Sequence, residues 1–384
     1  MRISLDLPKA NAIVPGFRTS QPSDNAQILK IFEGIPMKGD VTLTAERGPE
    51  FEALYDLQRG ESYCIVREDE ESGELDAIAA LLIREGWLDG QKSKVGYLGD
   101  LRTAPTAQAA RAVAKTYGAL FDTVSEHSGC EVFLTSIMSS NERAINALVD
   151  RSNPKRKAQP FYHEVKRFDT LTVHLAMPAL PYWSKYKVRT ATQQDVPAIA
   201  SFLAEDHAKR VMGYDFDHGE FEHRLATWPG FTLDDTYLAF DKGGALVGVT
   251  TAWDAHPVKR YRVDAYQGGM KRTQQVMRFA GKALGTSALP EEGEAFRYVY
   301  LANLSIHNDD PAILRALTTR VHKDFRKRGY HFYSLPLDKQ DPLQPAMKGY
   351  AYSKLGFNLY AVSRAADPRT QFSDARTGFD IALA

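Results

Sequence analysis

Two helix starts in this 384-residue chain differ in their fitness to hold an anion. The first reads RTAPTAQAARAVAKT (102 to 116), where Gln108 leads and Ala109, Ala110 and Ala112 keep the turn small. Backbone N–H groups at a helix start have no partner inside the helix, and small side chains let a phosphate approach them. The second reads SIHNDDPAILRAL (305 to 317) and puts Asp309 and Asp310 where an anion would rest. Those carboxylates suit a helix cap, with Pro311 at the first helical position, and they repel a phosphate. The first turn is therefore the candidate anion site, set against the plain reading of an alanine-rich amphipathic helix with no ligand.

Just ahead of each turn lies a strand-like run, KVGYLGDLRT (94 to 103) and YVYLANLSI (298 to 306), with Asp100 and Asn303 in equivalent positions. A carboxylate among apolar neighbours can take a proton if burial raises its pKa toward neutrality, so Asp100 qualifies as a base and Asn303 does not. The alternative is a structural carboxylate, hydrogen-bonded or partnered by Arg102. In YDFDHGEFEH (214 to 223), His218 and His223 stand five apart, a spacing that does not share a helix face, so no metal is expected there. Cys64 and Cys130 sit in apolar runs and read as small core residues.

These positions belong to an internal repeat. FRTSQPSDNAQILKIF (17 to 32) aligns with VRTATQQDVPAIASFL (188 to 203), matching Arg18 with Arg189, Thr19 with Thr190 and Asp24 with Asp195. In each half a short strand and a helix are followed by a hairpin, formed by SYCIVRE with LDAIAALLIRE and by DTYLAFDK with GALVGVTTAWD. The strand bearing Asp100 or Asn303 comes next. Long helices are expected over about 107 to 126 and 311 to 328, then a strand (131 to 136 and 331 to 336), a helix and two closing strands. The boundary falls in MPALPYWSKYK (177 to 187), giving modules of 1–178 and 179–384, the second carrying an insertion at about 254–295. Within that insertion Met270, Met277, Ala280 and Leu284 are spaced for one helix face.

The order β-α-α-β-β-β-α-β-α-β-β, read twice, resembles the GNAT superfamily of N-acetyltransferases. GYAYSKLGF (349 to 357) is similar to that family's Tyr-x-Lys-x-Gly-Phe ending, in which a helix leads through glycine into the sixth strand. SSNERAINAL (139 to 148) is similar to its Asn-x-x-Ala-x-x-Leu run. The resemblance implies an α/β fold of two GNAT-like modules, each a mixed, mostly antiparallel sheet flanked by helices on both faces. It also implies an opening between the fourth and fifth strands for the pantetheine arm of acetyl-CoA or another acyl-CoA.

Carried onto this sequence, the resemblance places cofactor contacts at Leu101, Arg102, Thr103, Gln108, Ala109, Ala110, Arg111, Ala112 and Asn141. It makes Asp100 the candidate base and Tyr352 the candidate acid that protonates the leaving thiolate. Leu148 stands at the position of Tyr352 in the first module and can do no proton chemistry, so Ser139, Ser140 and Tyr162 are alternative acids there. Both turns lack the family's glycines, and the first departs less. The segment 214 to 223 would wall the acceptor pocket.

Composition narrows the function classes. Lysine plus arginine equals aspartate plus glutamate at 48 each, which removes the footprint of general nucleic-acid binding. No long apolar run suggests a signal or a membrane span, so a cytoplasmic location is expected. The leading expectation is an acyl-CoA-dependent N-acyltransferase acting on the amine of a small molecule or peptide, with no metal, nucleic acid or membrane and with a homodimer compatible. The alternatives are a non-catalytic acyl-CoA sensor or interaction protein, and an aminoacyl-tRNA-dependent peptidyltransferase of the same two-module plan.

Overall fold

The computed structural model describes residues 1–88, 90–150, 158–272, 274–276, 288–365, 376–378 and 380–383. The strands of the first half are β1 (Phe17–Thr19), β2 (Val41–Arg47), β3 (Glu61–Glu68), β4 (Leu75–Leu88), β5 (Gln91–Thr103), β6 (Phe133–Met138) and β7 (Phe161–His174). Those of the second are β8 (Lys187–Thr190), β9 (Gly213–Tyr214), β10 (Thr236–Phe240), β11 (Leu246–Trp253), β12 (Lys259–Tyr266), β13 (Tyr298–Ile306), β14 (Phe332–Asp338) and β15 (Tyr352–Ser363). The helices are α1 (Pro8–Asn11), α2 (Asn25–Glu33), α3 (Ala53–Asp56), α4 (Ala107–Ser128), α5 (Glu142–Ala144), α6 (Val196–His207), α7 (Glu220–Thr227) and α8 (Pro311–Lys327).

Apolar spacing explains the two long helices. In α4 the buried Ala109, Ala112, Val113, Leu120, Phe121 and Val124 recur at helical intervals, Thr106 accepts the Ala109 N–H as its cap, and Gly129 ends it in the left-handed region at φ 67°. In α8 Ile313, Leu314, Leu317, Val321 and Phe325 form the buried stripe, and Asp310 caps the Ala312 N–H ahead of Pro311, as the sequence predicts.

Among the described residues thirteen strands form one continuous sheet, in the order β1-β3-β4-β5-β6-β15-β7-β14-β13-β11-β10-β8, with β9 added on β4. The modules have exchanged closing strands. β15, from the end of the chain, fills the place between β6 and β7, pairing Phe357 with Met138 on one side and Phe168 on the other. β7 then pairs with β14, so the first half closes the second. One core cluster consequently mixes both halves, from Leu54, Val95 and Leu134 to Phe221, Trp253 and Tyr300.

Three expectations are corrected. Each half closes with one long strand, β7 or β15, where two were expected, and the two pair with each other over nearly their whole length. Tyr352 opens β15 and does not end a helix. The insertion begins as a strand, β12, which pairs antiparallel with β2 in a separate ribbon joining the halves. Met270 packs against the central core, while Met277, Ala280 and Leu284 lie outside the described residues.

Strand exchange predicts that a fragment of residues 1–178 does not fold alone, since β6 and β7 would each expose a full edge. Denaturant unfolding of the full chain is expected to show one transition and the fragment none. A cooperative transition in the fragment would contradict the exchange.

Candidate functional site

Two parallel contacts in the sheet come apart. β5 and β6 pair only at Gly96 with Phe133 and Tyr97 with Leu134. β13 and β14 pair only from Tyr298 with Phe332 to Tyr300 with Ser334. Gly96 is required at the first contact, because a Cβ there would come within 2.2 Å of the Phe133 ring. Past the apex the first opening is tied by side chains, with Thr135 Oγ1 donating to the Leu98 carbonyl at 2.8 Å and Tyr97 OH within 2.6 Å of Ser136 Oγ.

Beside each opening the strand bulges. The β4–β5 register passes from Ala80 with Gly99 to Ile78 with Arg102, leaving Asp100 and Leu101 opposite Ala79. The β11–β13 register likewise leaves Asn303 and Leu304 opposite Thr250. Asp100 and Asn303 adopt φ 46° and 53°, a left-handed conformation that aspartate and asparagine tolerate better than other side chains. The equivalence read from the sequence is thus a shared backbone device.

A buried arginine holds each bulge residue. Asp100 Oδ2 accepts from Tyr55 OH at 2.8 Å and from Arg47 Nη2 at 3.1 Å. Asn303 Oδ1 accepts from Arg224 Nη1 at 2.5 Å. Burial pushes the Asp100 carboxyl up, but the Arg47 charge and the hydrogen bonds from Tyr55 and Arg47 outweigh it and hold the group below the usual carboxylate range. This corrects the expectation that burial lifts Asp100 toward neutrality. Its partner is Arg47, and Arg102 instead donates to the Phe32 carbonyl and lies over the Phe32 ring.

The insertion contributes Lys259, 5% exposed, whose Nζ donates to the Ala382 carbonyl at 3.1 Å. Burial, and then the Arg47 charge, hold its ammonium well below the ordinary lysine value. Arg47, Tyr55 and Lys259 escaped sequence reasoning because they lie on β2, α3 and β12, elements distant in sequence from Asp100.

The two helix starts differ as their residues require. Ahead of α4, Pro105 to Gln108 are exposed and Ala109 is buried, an accessible turn of small residues whose Ala109 N–H is capped by Thr106 Oγ1. Gln108 Nε2 donates to Asp69 at 2.7 Å, Arg111 and Leu101 are exposed, and Thr103 pairs with Ala77. Ahead of α8 the turn is occupied by the chain itself, with Asp309 paired to Arg376 and Asp310 bonded to Tyr186 at 2.6 Å. The second start does not fit a pyrophosphate.

Other candidates are dispersed. Asn141 caps α5 through the Ala144 N–H. Tyr162 is bonded to Tyr117 at 2.6 Å, Ser139 donates to Asn358, and Ser140 is exposed. Tyr352 opens β15 opposite Val173 of β7, outside the part of β15 that pairs with β6. In the segment 214 to 223, His223 Nε2 contacts the Leu57 carbonyl and His218 pairs with Asp215. Among the described residues no group of three or more histidine, cysteine or acidic side chains is placed to hold a metal. Cys64 and Cys130 are buried free thiols that burial pushes up to about 12.

No family model matches the sequence, and no curated protein matches it. Solved structures do. N-myristoyltransferase of Saccharomyces cerevisiae with bound myristoyl-CoA superposes at a TM-score of 0.57 with 10% identity, over 98% of this chain and 93% of that one. The GCN5-related glucosamine N-acetyltransferase region of a fungal multi-domain GH3 β-N-acetylglucosaminidase superposes at 0.55 with 14% identity, covering 90% of this chain. This chain spans 38% of the length of that second protein. At such identities the likeness shows the fold alone.

Replacing Arg47 by Met is expected to cost about 3 kcal/mol in urea unfolding, because it strands the Asp100 charge. Asp100 has a depressed pKa, so its contribution is present above the unfolded value of about 4 and is lost as pH falls through the folded value. The stability gap between wild type and Asp100→Asn should therefore shrink from about pH 6 toward about pH 3. A gap that does not change with pH would show that the carboxylate is not held as described.

Proposed function

We propose that this tandem GNAT-fold chain is an acyl-CoA-dependent N-acyltransferase whose cosubstrate lies in the first module. One observation carries the reading. The splayed β5–β6 pair, the Asp100 bulge and the exposed small-residue start of α4 occur side by side, while the corresponding start in the second module is occupied by the chain's own charges. In this reading the backbone around Leu101 to Thr103 and the turn from Gln108 to Ala112 hold the acyl-CoA, with Asn141 supporting the wall through its cap. The acceptor is the amine of a small molecule or peptide.

The roles of the charged groups follow from their partners. Asp100 is ionised at neutral pH and fixes the bulge, but with Arg47 and Tyr55 on it the carboxylate is a weak base. Lys259, disfavoured as an ammonium by its burial, is turned to the Ala382 carbonyl, so the amine proton leaves to solvent in this reading. Tyr352 has no part in this site. A second reading, acyl-CoA binding without turnover, is favoured by that same tie between Asp100 and Arg47.

A thermal-shift titration with acetyl-CoA, longer acyl-CoAs and free CoA tests the proposal, because a ligand of the native state raises the midpoint. Gln108→Glu should weaken binding roughly tenfold by placing a second carboxylate beside Asp69 at the helix start. If no CoA species shifts the wild type at millimolar concentration, both readings fail. If the shift survives Gln108→Glu but is lost on altering residues 309 to 311, the site lies in the second module. Thiol release in the presence of an amine panel separates turnover from binding.

A further inference from the structure

The second opening holds a piece of the chain. Residues 376–378 and 380–383 lie against it, with Val211 N donating to the Arg376 carbonyl at 3.1 Å and Gly378 N to the Val211 carbonyl at 2.7 Å. Ile381, Ala382 and Leu383 are buried, and the Ala382 carbonyl accepts a hydrogen bond from Lys259 Nζ. Only a narrow crevice remains around this segment, walled by Leu301 and Leu304 of β13, Pro336 of β14 and His207 of α6.

At the centre is the carboxylate of Asp380. Its Oδ1 accepts the bulge N–H of Asn303 at 3.2 Å, and its Oδ2 accepts from Arg224 Nη1 at 2.5 Å. Arg224 is wholly buried, lies over Tyr214 and Trp228 at 4.3 Å from each ring centroid, and also meets Glu220. Its Nη2 is buried with no hydrogen-bond partner among the described residues. Arg84, also buried, lies 3.7 Å from the Tyr214 ring centroid and donates to backbone carbonyls of Met212 and Gly213. Without Asp380, two guanidinium charges would face Glu220 alone. An uncompensated buried cation is costly, so this place requires an anion. A backbone N–H and a guanidinium converging on two oxygens of one planar group specify a carboxylate.

We propose that the second opening is a carboxylate-recognition site filled from within, with Asp380 in the position of a ligand and the same receptor open to a carboxylate in trans when the segment leaves. The ligand class is a carboxylate such as an acidic side chain or the end of a peptide. The proposal does not rest on acyl-CoA binding in the first module.

Acetate is the probe. Asp380→Ala in the full chain should melt several degrees below wild type. At fixed ionic strength, acetate at about 0.1 M should restore about 2 °C or more of that loss relative to chloride, and should leave wild type unmoved. Acetate acting no better than chloride on the variant, or raising wild type equally, would overturn the proposal. Asp380→Asn keeps the shape and one acceptor while removing the charge, so it serves if the alanine variant does not fold. In it the amides of Gly378 and Leu383 should exchange at least about tenfold faster with solvent deuterium, and unchanged rates would overturn the proposal equally.

Discussion

A parallel strand pair that splays leaves backbone N–H and C=O groups facing a gap, and everything else in this molecule depends on how those edges are completed. The chain contains two such pairs, and exchange covers the far edges of their second strands, β6 and β14, leaving the gaps themselves to side chains and to residues near Asp380. β15 crosses to lie between β6 and β7, and β7 in turn borders β14. Neither half then owns a finished sheet, and one core cluster draws on both halves. The β2–β12 ribbon and the β4–β9 pairing add further backbone ties across the same seam.

Given that frame, the bulges at Asp100 and Asn303 set the chemistry of each opening. The bulge turns a polar side chain into a buried environment, where it must find a charged or hydrogen-bonding partner. In the first half the partner set is Arg47 with Tyr55, supplied by the β2 ribbon and α3. In the second it is Arg224 with Glu220 and Asp380. An aspartate at the first bulge balances its arginine directly. An asparagine at the second cannot, so the compensating carboxylates come from α7 and from the end of the described chain. The two openings, built on one plan, therefore differ in charge balance and in occupancy.

Much of the local structure was legible in the sequence. The repeat, the hairpins, the long helices and the Asp310–Pro311 cap follow from periodicity and end signals, which act over a few residues. What escaped is set by distant partners. Nothing in Tyr352–Ser363 says that it pairs with Phe133–Met138 more than two hundred residues earlier, and register across a sheet is decided by packing as a whole. The Tyr-x-Lys-x-Gly-Phe resemblance suggested a helix end at Tyr352, where the chain instead enters a strand paired with β7. Asp100 and Asn303 stood out as equivalent polar positions, but their left-handed backbone and their arginines did not, because Arg47 and Arg224 lie on unrelated elements of the two halves.

The central claim is that one fused sheet carries two openings of which the first accepts acyl-CoA and the second is filled by the chain. Hydrogen–deuterium exchange of the full-length protein with and without acetyl-CoA tests it most directly, because it reads both openings at once. The account predicts ligand-dependent protection around Leu98 to Ala112 and Phe133 to Met138, with residues 307 to 313 and 376 to 383 unchanged. Protection confined to 307 to 313, or displacement of 376 to 383 by acetyl-CoA, would contradict it.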